Sequence, residues 1–218
     1  MFISKEIKER IAGIKPQIEV IGPVGAGKTT FSELLGGYLG VKPIYENYMN
    51  NPYLTKFYSE PKKYSFHSQM WFLLDRIYAL SNGDSPLVDA GLIMYLCYAR
   101  AQNIMEMMCD KEFGIYKQTR SALKEAKKIP NPNFVFILTA SPDKLQKHIA
   151  DRGRIFEKGV WKDYLQTLSN VVDNFQEELD INIPSFRIDT GVNDLLDHSF
   201  FENSKDEIET FLGFKVNV

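Results

Sequence analysis

Along this chain, short unbroken apolar runs alternate with longer stretches in which apolar residues recur every three or four positions. The first run, residues 17–21 (QIEVI), stops at a glycine loop. Beyond the loop, Phe31, Leu34, Leu35 and Tyr38 fall at helical spacing and predict a helix over 28–39. Residues 43–46 read as a second short strand. Residues 65–80 read as an amphipathic helix with Phe66, Met70, Leu73, Leu74 and Ile77 on one broad face. The run 86–89 (PLVD) predicts a buried strand, followed by an apolar helix over 92–108 and a more polar one over 111–128. Residues 133–139 (NFVFILT) form the clearest strand, and Ser141-Pro142 after it supplies a helix cap and a first-turn proline. A helix over 161–179, a strand over 186–189 and a helix over 205–212 complete the pattern. Five strands separated by helices imply a parallel sheet covered on both faces, with right-handed crossovers. No linker divides the chain, so residues 1–218 are expected to form a single domain.

Composition narrows the classes. Hydrophobic residues make up 44% and charged residues 25%, the balance of a soluble globular protein rather than a disordered, collagen-like or disulfide-scaffold chain. A net charge of −2 provides no field to draw the protein to nucleic acid or anionic lipid, so neither is expected as a partner. The two cysteines, Cys97 and Cys109, lie in apolar helical sequence, which fits a reduced, cytoplasmic compartment. The start, MFISKEIKERIAG, has no apolar core of a signal peptide, and the longest apolar stretch, 91–99, is far short of the ~20 residues of a membrane span. Aromatics reach 13% and gather between Tyr38 and Tyr98, as core packing or as the walls of a pocket for a flat ligand.

The chemistry starts in the glycine loop. Gly22, Pro23, Val24, Gly25, Ala26, Gly27, Lys28 and Thr29 fit G-x-x-x-x-G-K-[ST] between a strand and a helix, with Thr30 next in line. Glycines let the backbone approach phosphate oxygens, and the N–H groups at the helix start attract negative charge. Lys28 suits the β- and γ-phosphates of ATP, and the Thr29 hydroxyl suits Mg2+. A GTPase base-reading motif N-K-x-D is absent, and the chain is too short for a motor ATPase, which leaves a small-molecule kinase. Transfer to a hydroxyl needs a proton acceptor. Glu46, at the end of the second expected strand, is the candidate, because ligands in open α/β sheets bind at that edge. Gln69 and Arg76 lie seven positions apart and so project from one helix face, and a glutamine amide can read a nucleobase edge.

Phosphate loop, Glu46, Asn51-Pro52-Tyr53-Leu54, Tyr58, Phe66-x-x-Gln69 and Arg76 together resemble the deoxynucleoside kinase family, in particular the bacterial deoxyadenosine and deoxyguanosine kinases. A second match lies in Arg152-Gly153-Arg154-Ile155-Phe156-Glu157, which resembles the family's R-G-R-x-x-E lid, here about 152–160; the tail 194–208 is loosely similar. The resemblance implies a three-layer P-loop kinase fold: a five-stranded parallel sheet flanked by helices, with an arginine-rich lid. It also implies transfer of the γ-phosphate of ATP to the 5′-hydroxyl of a deoxynucleoside, with a purine preferred. Glu46 is then the base, Tyr58 and Glu157 bind the 3′-hydroxyl, Gln69 pairs with the base and Arg76 sets base preference. Arg152 and Arg154 close over the phosphates, and Asp89 joins Thr29 in holding Mg2+. A homodimer through the helices after Ser65 and after Gly91 is also implied.

The chain departs from the pattern after its third strand, where the acid should be followed by Arg-Ser or Arg-Thr. It reads Asp89-Ala90-Gly91, and an aspartate usual a few positions on is absent from Leu92-Ile93-Met94-Tyr95-Leu96. His148 stands where the first arginine before the lid belongs. Arg100 or Arg120 are candidates to supply the missing charge. Two other functions stay open from sequence: a kinase for another small acceptor such as a nucleoside monophosphate, and a nucleotide-binding relative without catalysis.

Overall fold

The computed structural model describes residues 18–157, 160–193, 195 and 197–213. Residue 17 of the first expected strand, the start of the chain, residues 158–159 of the lid and residues 194 and 196 of the tail lie outside the described residues. The order is β1 (Ile18–Ile21), α1 (Lys28–Leu39), α2 (Leu54–Ser59), α3 (Pro61–Asn82), β2 (Leu87–Asp89), α4 (Leu92–Ile104), α5 (Asp110–Ala126), β3 (Phe134–Thr139), α6 (Pro142–Arg152), α7 (Lys162–Asp173), α8 (Phe175–Leu179), β4 (Ser185–Asp189) and α9 (His198–Phe211). Short 3-10 turns occupy Tyr48–Asn50 and Ile155–Glu157.

The described sheet has four strands in the order β2-β1-β3-β4, not five, and every pairing is parallel. The expected strand at 43–46 is reduced to one bridge, Ile44 to Val88. Ile44 N–H donates to Leu87 O at 2.9 Å and Asp89 N–H to Ile44 O at 3.0 Å. Ile44 turns both its N–H and its C=O toward β2, so Lys42 and Glu46 would have to continue the ladder. The acceptor on the Glu46 side, Asp89 O, is met by the Arg76 side chain at 3.0 Å, and on the Lys42 side Leu87 N–H donates to Ser85 Oγ at 3.2 Å instead. The chain leaves β1 toward β2 on one side and later returns to β3 on the other. The loop after β1 therefore sits at the switch point of the sheet, where α/β folds form their crevice.

Several helices differ from the expected ranges for local reasons. α3 starts at Pro61, in the first turn, where the missing N–H costs nothing. The expected helix over 161–179 breaks at Asn174, whose backbone leaves the helical region (φ −112°, ψ 25°) while its side-chain amide and its own N–H share Asn170 O at 2.9 and 3.1 Å. α4 stops at Ile104, and Glu106 just beyond it has φ +55°. α9 starts at His198 rather than 205, and α2 was not expected.

The face that α3 turns inward is rotated from the one its apolar residues predict. Ser65, Ser68, Gln69, Phe72, Leu73, Arg76 and Ile77 are buried, whereas Leu74 is 51% exposed. Two strongly polar side chains, Gln69 and Arg76, thus replace apolar ones in the buried stripe. Burying them is costly unless they meet partners or ligand. α4 is buried continuously from Leu92 to Ala99, enclosed by α3, α5, α7 and β1.

The start of α4 explains one departure in the sequence. Gly91, its N-cap, has no side chain to cap the helix. Glu19 does so from the middle of β1: its carboxylate accepts from Met94 N–H at 2.8 Å and Ile93 N–H at 3.3 Å. A Cβ on Gly91 would lie 2.5 Å from that carboxylate. Serine or threonine at 91 and Glu19 at its post are therefore mutually exclusive. Burial holds the Glu19 carboxyl above the usual carboxylate range, although both N–H groups and the nearby arginines pull it down.

Candidate active site

A cleft of about 970 Å³ runs along the C-terminal edge of the sheet, a volume at the upper end of small-molecule sites. Every site residue expected from sequence lines it except Gly22, Pro23 and Arg76. Its two ends differ in chemistry. One is built of loop backbone and basic side chains, the other of aromatic rings and amides.

At the basic end the loop wraps between β1 and α1. Gly25 and Gly27 have φ +86° and +87°, a region that L side chains rarely adopt. A Cβ on Gly25 would stand 2.8 Å from Leu145 O, and one on Gly27 2.8 Å from the Leu195 side chain. The cradle therefore needs both glycines for conformation and for space. Lys28 Nζ donates to Gly22 O at 2.9 Å, Pro23 O at 3.1 Å and Tyr98 OH at 3.3 Å. Burial lowers the Lys28 pKa, while Glu46 and Asp89 raise it. His148 Nδ1 lies 3.0 Å from Gly25 O, and a carbonyl only accepts, so that nitrogen carries a proton. The histidine in place of the expected arginine is thus tied to the loop backbone.

The Thr29 hydroxyl donates to Asp89 Oδ2 at 2.7 Å. Asp89 Oδ1 is buried and has no hydrogen-bond partner among the described residues. A hydroxyl and a carboxylate with one oxygen to spare are a hard donor set. They fit Mg2+, which keeps waters and takes its other ligands from substrate phosphates. Among the described residues no cluster of three or more His, Cys, Asp or Glu exists that could enclose a metal alone.

Glu46 stands between the two ends. Burial raises its pKa, Lys28 opposes that most strongly, Asp89 adds to it, and Arg76 and Arg154 oppose it. The lid follows α6. Glu157 is 4% exposed and receives both lid arginines, Arg152 through one guanidinium nitrogen and Arg154 NH1 at 3.3 Å. The Arg154 guanidinium also lies 3.7 Å over the Tyr48 ring centroid, a cation–π contact. Tyr58 stacks on Phe156 at 6.1 Å, which brings it to the same wall as Glu157.

The apolar end is enclosed by Phe57, Phe72, Tyr98 and Tyr164. Gln69 reaches it from α3, 3% exposed, with Oε1 unpartnered among the described residues. Gln102, which sequence reasoning missed, reaches it from α4. Its Nε2 donates to Tyr164 OH at 3.4 Å and its Oε1 is also unpartnered. Its only signal was a polar side chain near the end of a helix whose first eight residues are apolar or aromatic. Two buried amides with spare hydrogen-bonding capacity are groups that a polar ring edge can satisfy.

Three expectations do not hold in this geometry. Arg76 lines no part of the cleft, because its guanidinium is bound to backbone carbonyls behind the wall. Arg100 pairs with Glu178 at 2.9 Å, away from the site. Arg120 donates to Leu92 O at 3.2 Å and is also outside the cleft. Neither of the last two supplies the charge absent after Asp89.

A parallel α/β sheet with a phosphate loop at its switch point, a basic lid and an apolar end to the same cleft defines a phosphotransferase of the small-molecule kinase class. The model of the family Deoxynucleoside kinase matches residues 18–212. Deoxyguanosine kinase of Bacillus subtilis is 33% identical over 156 residues, covering 70% of this chain and 74% of that one. Deoxyguanosine kinase of Lactobacillus acidophilus is 30% identical, covering 79% of each chain. The solved deoxyadenosine kinase of M. mycoides with bound dCTP superimposes with a TM-score of 0.75 at 23% identity, over 88% of this chain and 99% of that one, a likeness of fold. The chain belongs to the deoxynucleoside kinase family, the enzymes that phosphorylate deoxynucleosides.

Proposed function

We propose that this chain is a single-domain, cytoplasmic salvage kinase that transfers the γ-phosphate of ATP to the 5′-hydroxyl of a purine deoxynucleoside. The observation that carries the reading is the placement of Glu46. It lies in one cleft with the phosphate loop on one side and the amide-lined aromatic chamber on the other. In the reaction, the nucleoside 5′-oxygen attacks the γ-phosphorus and its proton passes to the Glu46 carboxylate. The bond from that phosphorus to the β–γ bridging oxygen breaks, and ADP leaves with the electron pair. Lys28 and the loop N–H groups hold the β- and γ-phosphates. Arg152 and Arg154 neutralise charge on the transferring group, which in phosphoryl transfer is most of what the protein must do. Mg2+, held by Thr29 and Asp89, supplies further charge neutralisation when bound. Tyr58 and Glu157 meet the 3′-hydroxyl, and Gln69 with Gln102 meets the base.

The purine assignment is supported by relatives named as deoxyguanosine and deoxyadenosine kinases, and the two amides with spare hydrogen-bonding capacity are compatible with a purine edge. Incubation with Mg2+, ATP and each common deoxynucleoside, scored for monophosphate, tests it. Product from deoxyadenosine or deoxyguanosine is expected to dominate, and product from neither rejects the assignment. Replacing Gln69 by alanine should weaken nucleoside binding by about 1–3 kcal/mol, the scale of a bidentate amide–base pair, and leave ATP binding alone. Equal nucleoside affinity of mutant and wild type in titration calorimetry would make Gln69 structural only.

A homodimer is supported by the outward side of α3. Leu74 and Tyr78 are 51% and 72% exposed, and Ile115 on the neighbouring α5 is 51% exposed. The other helix expected at this contact, α4, is buried within the chain over Leu92 to Ala99, so the proposed surface is α3 with α5. Sedimentation equilibrium that finds only monomer at micromolar concentration rejects it. No helix among the described residues is long and apolar enough to cross a membrane.

A further inference from the structure

Behind the Glu46 wall lies one charged group that the reaction above does not use. Arg76 is wholly buried. Its guanidinium donates to Ile44 O at 3.2 Å, Tyr45 O at 3.2 Å, Asp89 O at 3.0 Å and Tyr95 OH at 3.2 Å. Nε has no partner among the described residues. An apolar side chain of similar size would pack there at lower cost than a buried cation with a donor to spare, so the guanidinium is explained by what it holds. It holds two pieces of backbone. One carries Ile44 and Tyr45, directly before Glu46; the other carries Asp89 and leads into Ala90. Apart from this guanidinium, the described backbone contact between them is the single Ile44–Val88 bridge. Glu46 lies beyond that bridge, where no strand ladder fixes it. A planar fork with several donors and a permanent charge can bind converging carbonyls at once, and lysine cannot reproduce that geometry.

The charges point the same way. Glu46 and Asp89 repel each other across the site, and both are attracted by Arg76. The segment Asp89-Ala90-Gly91 provides no cation, and Ala90 is buried with φ +55°. Arg76 is the cation that reaches this corner from behind.

We propose that Arg76 is the positioning residue of the acceptor site: it locks the chain before Glu46 against the chain at Asp89, places a fixed positive charge behind Glu46, and does not read the base. The inference rests on the kinase reading with Glu46 as base.

The test measures kcat and KM for deoxyadenosine and deoxyguanosine in Arg76→Lys and Arg76→Gln, each in the natural chain and in a Glu46→Gln background. Misplacing a reacting group by a fraction of an ångström to one ångström costs roughly 10–100-fold in rate. Arg76→Lys is therefore expected to lower kcat by that much, leave both nucleoside KM values within about threefold, and leave the ranking of the two bases unchanged. In the Glu46→Gln background the same change should add almost nothing, because a residue that acts through Glu46 has nothing left to position. Two results overturn the inference: a shift of more than tenfold in base ranking, which would make Arg76 a base reader, or losses that multiply with Glu46→Gln, which would make its role independent of Glu46. Should Arg76→Gln fail to fold, Arg76→Lys, which keeps the charge, decides alone. A wild type that phosphorylates neither nucleoside overturns the kinase reading and this inference with it; an active wild type with multiplying losses overturns this inference alone.

Discussion

Lys28→Ala is expected to reduce kcat/KM by roughly 10³-fold or more, the scale on which a cation at the transferring phosphoryl group counts. The ammonium sits against the Gly22 and Pro23 carbonyls at the mouth of the loop. The groups flanking it on the lid side are already engaged. Arg152 and Arg154 are held on Glu157, and Arg154 also lies over Tyr48. His148 is committed to Gly25 O. The substitution has a second effect in the same direction. Lys28 is the strongest influence holding the Glu46 pKa down against burial, so its loss leaves the base more protonated at a given pH. Steady-state kinetics on a variant with an unchanged melting temperature checks this, and activity within tenfold of wild type would remove the phosphate-loop assignment.

Glu46→Gln preserves shape and removes the proton acceptor. kcat should fall by roughly 10²–10⁴, the range for loss of general-base catalysis, with nucleoside affinity little changed. The pH profile carries the sharper signature. Only the carboxylate accepts a proton, so kcat falls as pH drops through the Glu46 pKa and reaches its plateau above it. Burial, and Asp89 after it, raises that pKa above the usual carboxylate value. The acid limb of wild type should therefore lie at higher pH than an exposed glutamate would give, and it should vanish in Glu46→Gln. An unchanged kcat, or an acid limb that survives the substitution, would assign the proton to another group, with Asp89, the carboxylate that acts on Glu46 across the site, the first candidate.

What could be read in the sequence was whatever depends on neighbours along the chain. The phosphate loop is one: its glycines, lysine and threonine act through local backbone geometry and a helix start. The strand at 134–139, the Ser141-Pro142 helix start and the parallel α/β class follow from short-range pattern in the same way. The resemblance placed Tyr58, Gln69, Asp89 and Glu157, and all four line the cleft. The face of α3 was misread because amphipathicity assumes that polar side chains look outward. Gln69 faces a ligand cleft and Arg76 faces backbone carbonyls, and neither partner lies near them in sequence.

By itself, then, the sequence determined the fold class, the phosphate-loop motif and the identity of the candidate base, because each is written in contiguous residues or at helical spacing. Tertiary structure alone decided four things. The fifth strand shrinks to one bridge because Arg76 takes the Asp89 carbonyl and Leu87 N–H turns to Ser85 Oγ, the two groups of β2 that would have extended it. Gly91 leaves room for Glu19, which comes from a different strand, fills the space above it and caps α4. Gln102 joins Gln69 because α3 and α4 pack side by side. Arg76 stands behind Glu46 instead of beside the base, since a buried guanidinium needs several acceptors at once, and here three carbonyls and the Tyr95 hydroxyl are brought together only by the folded chain.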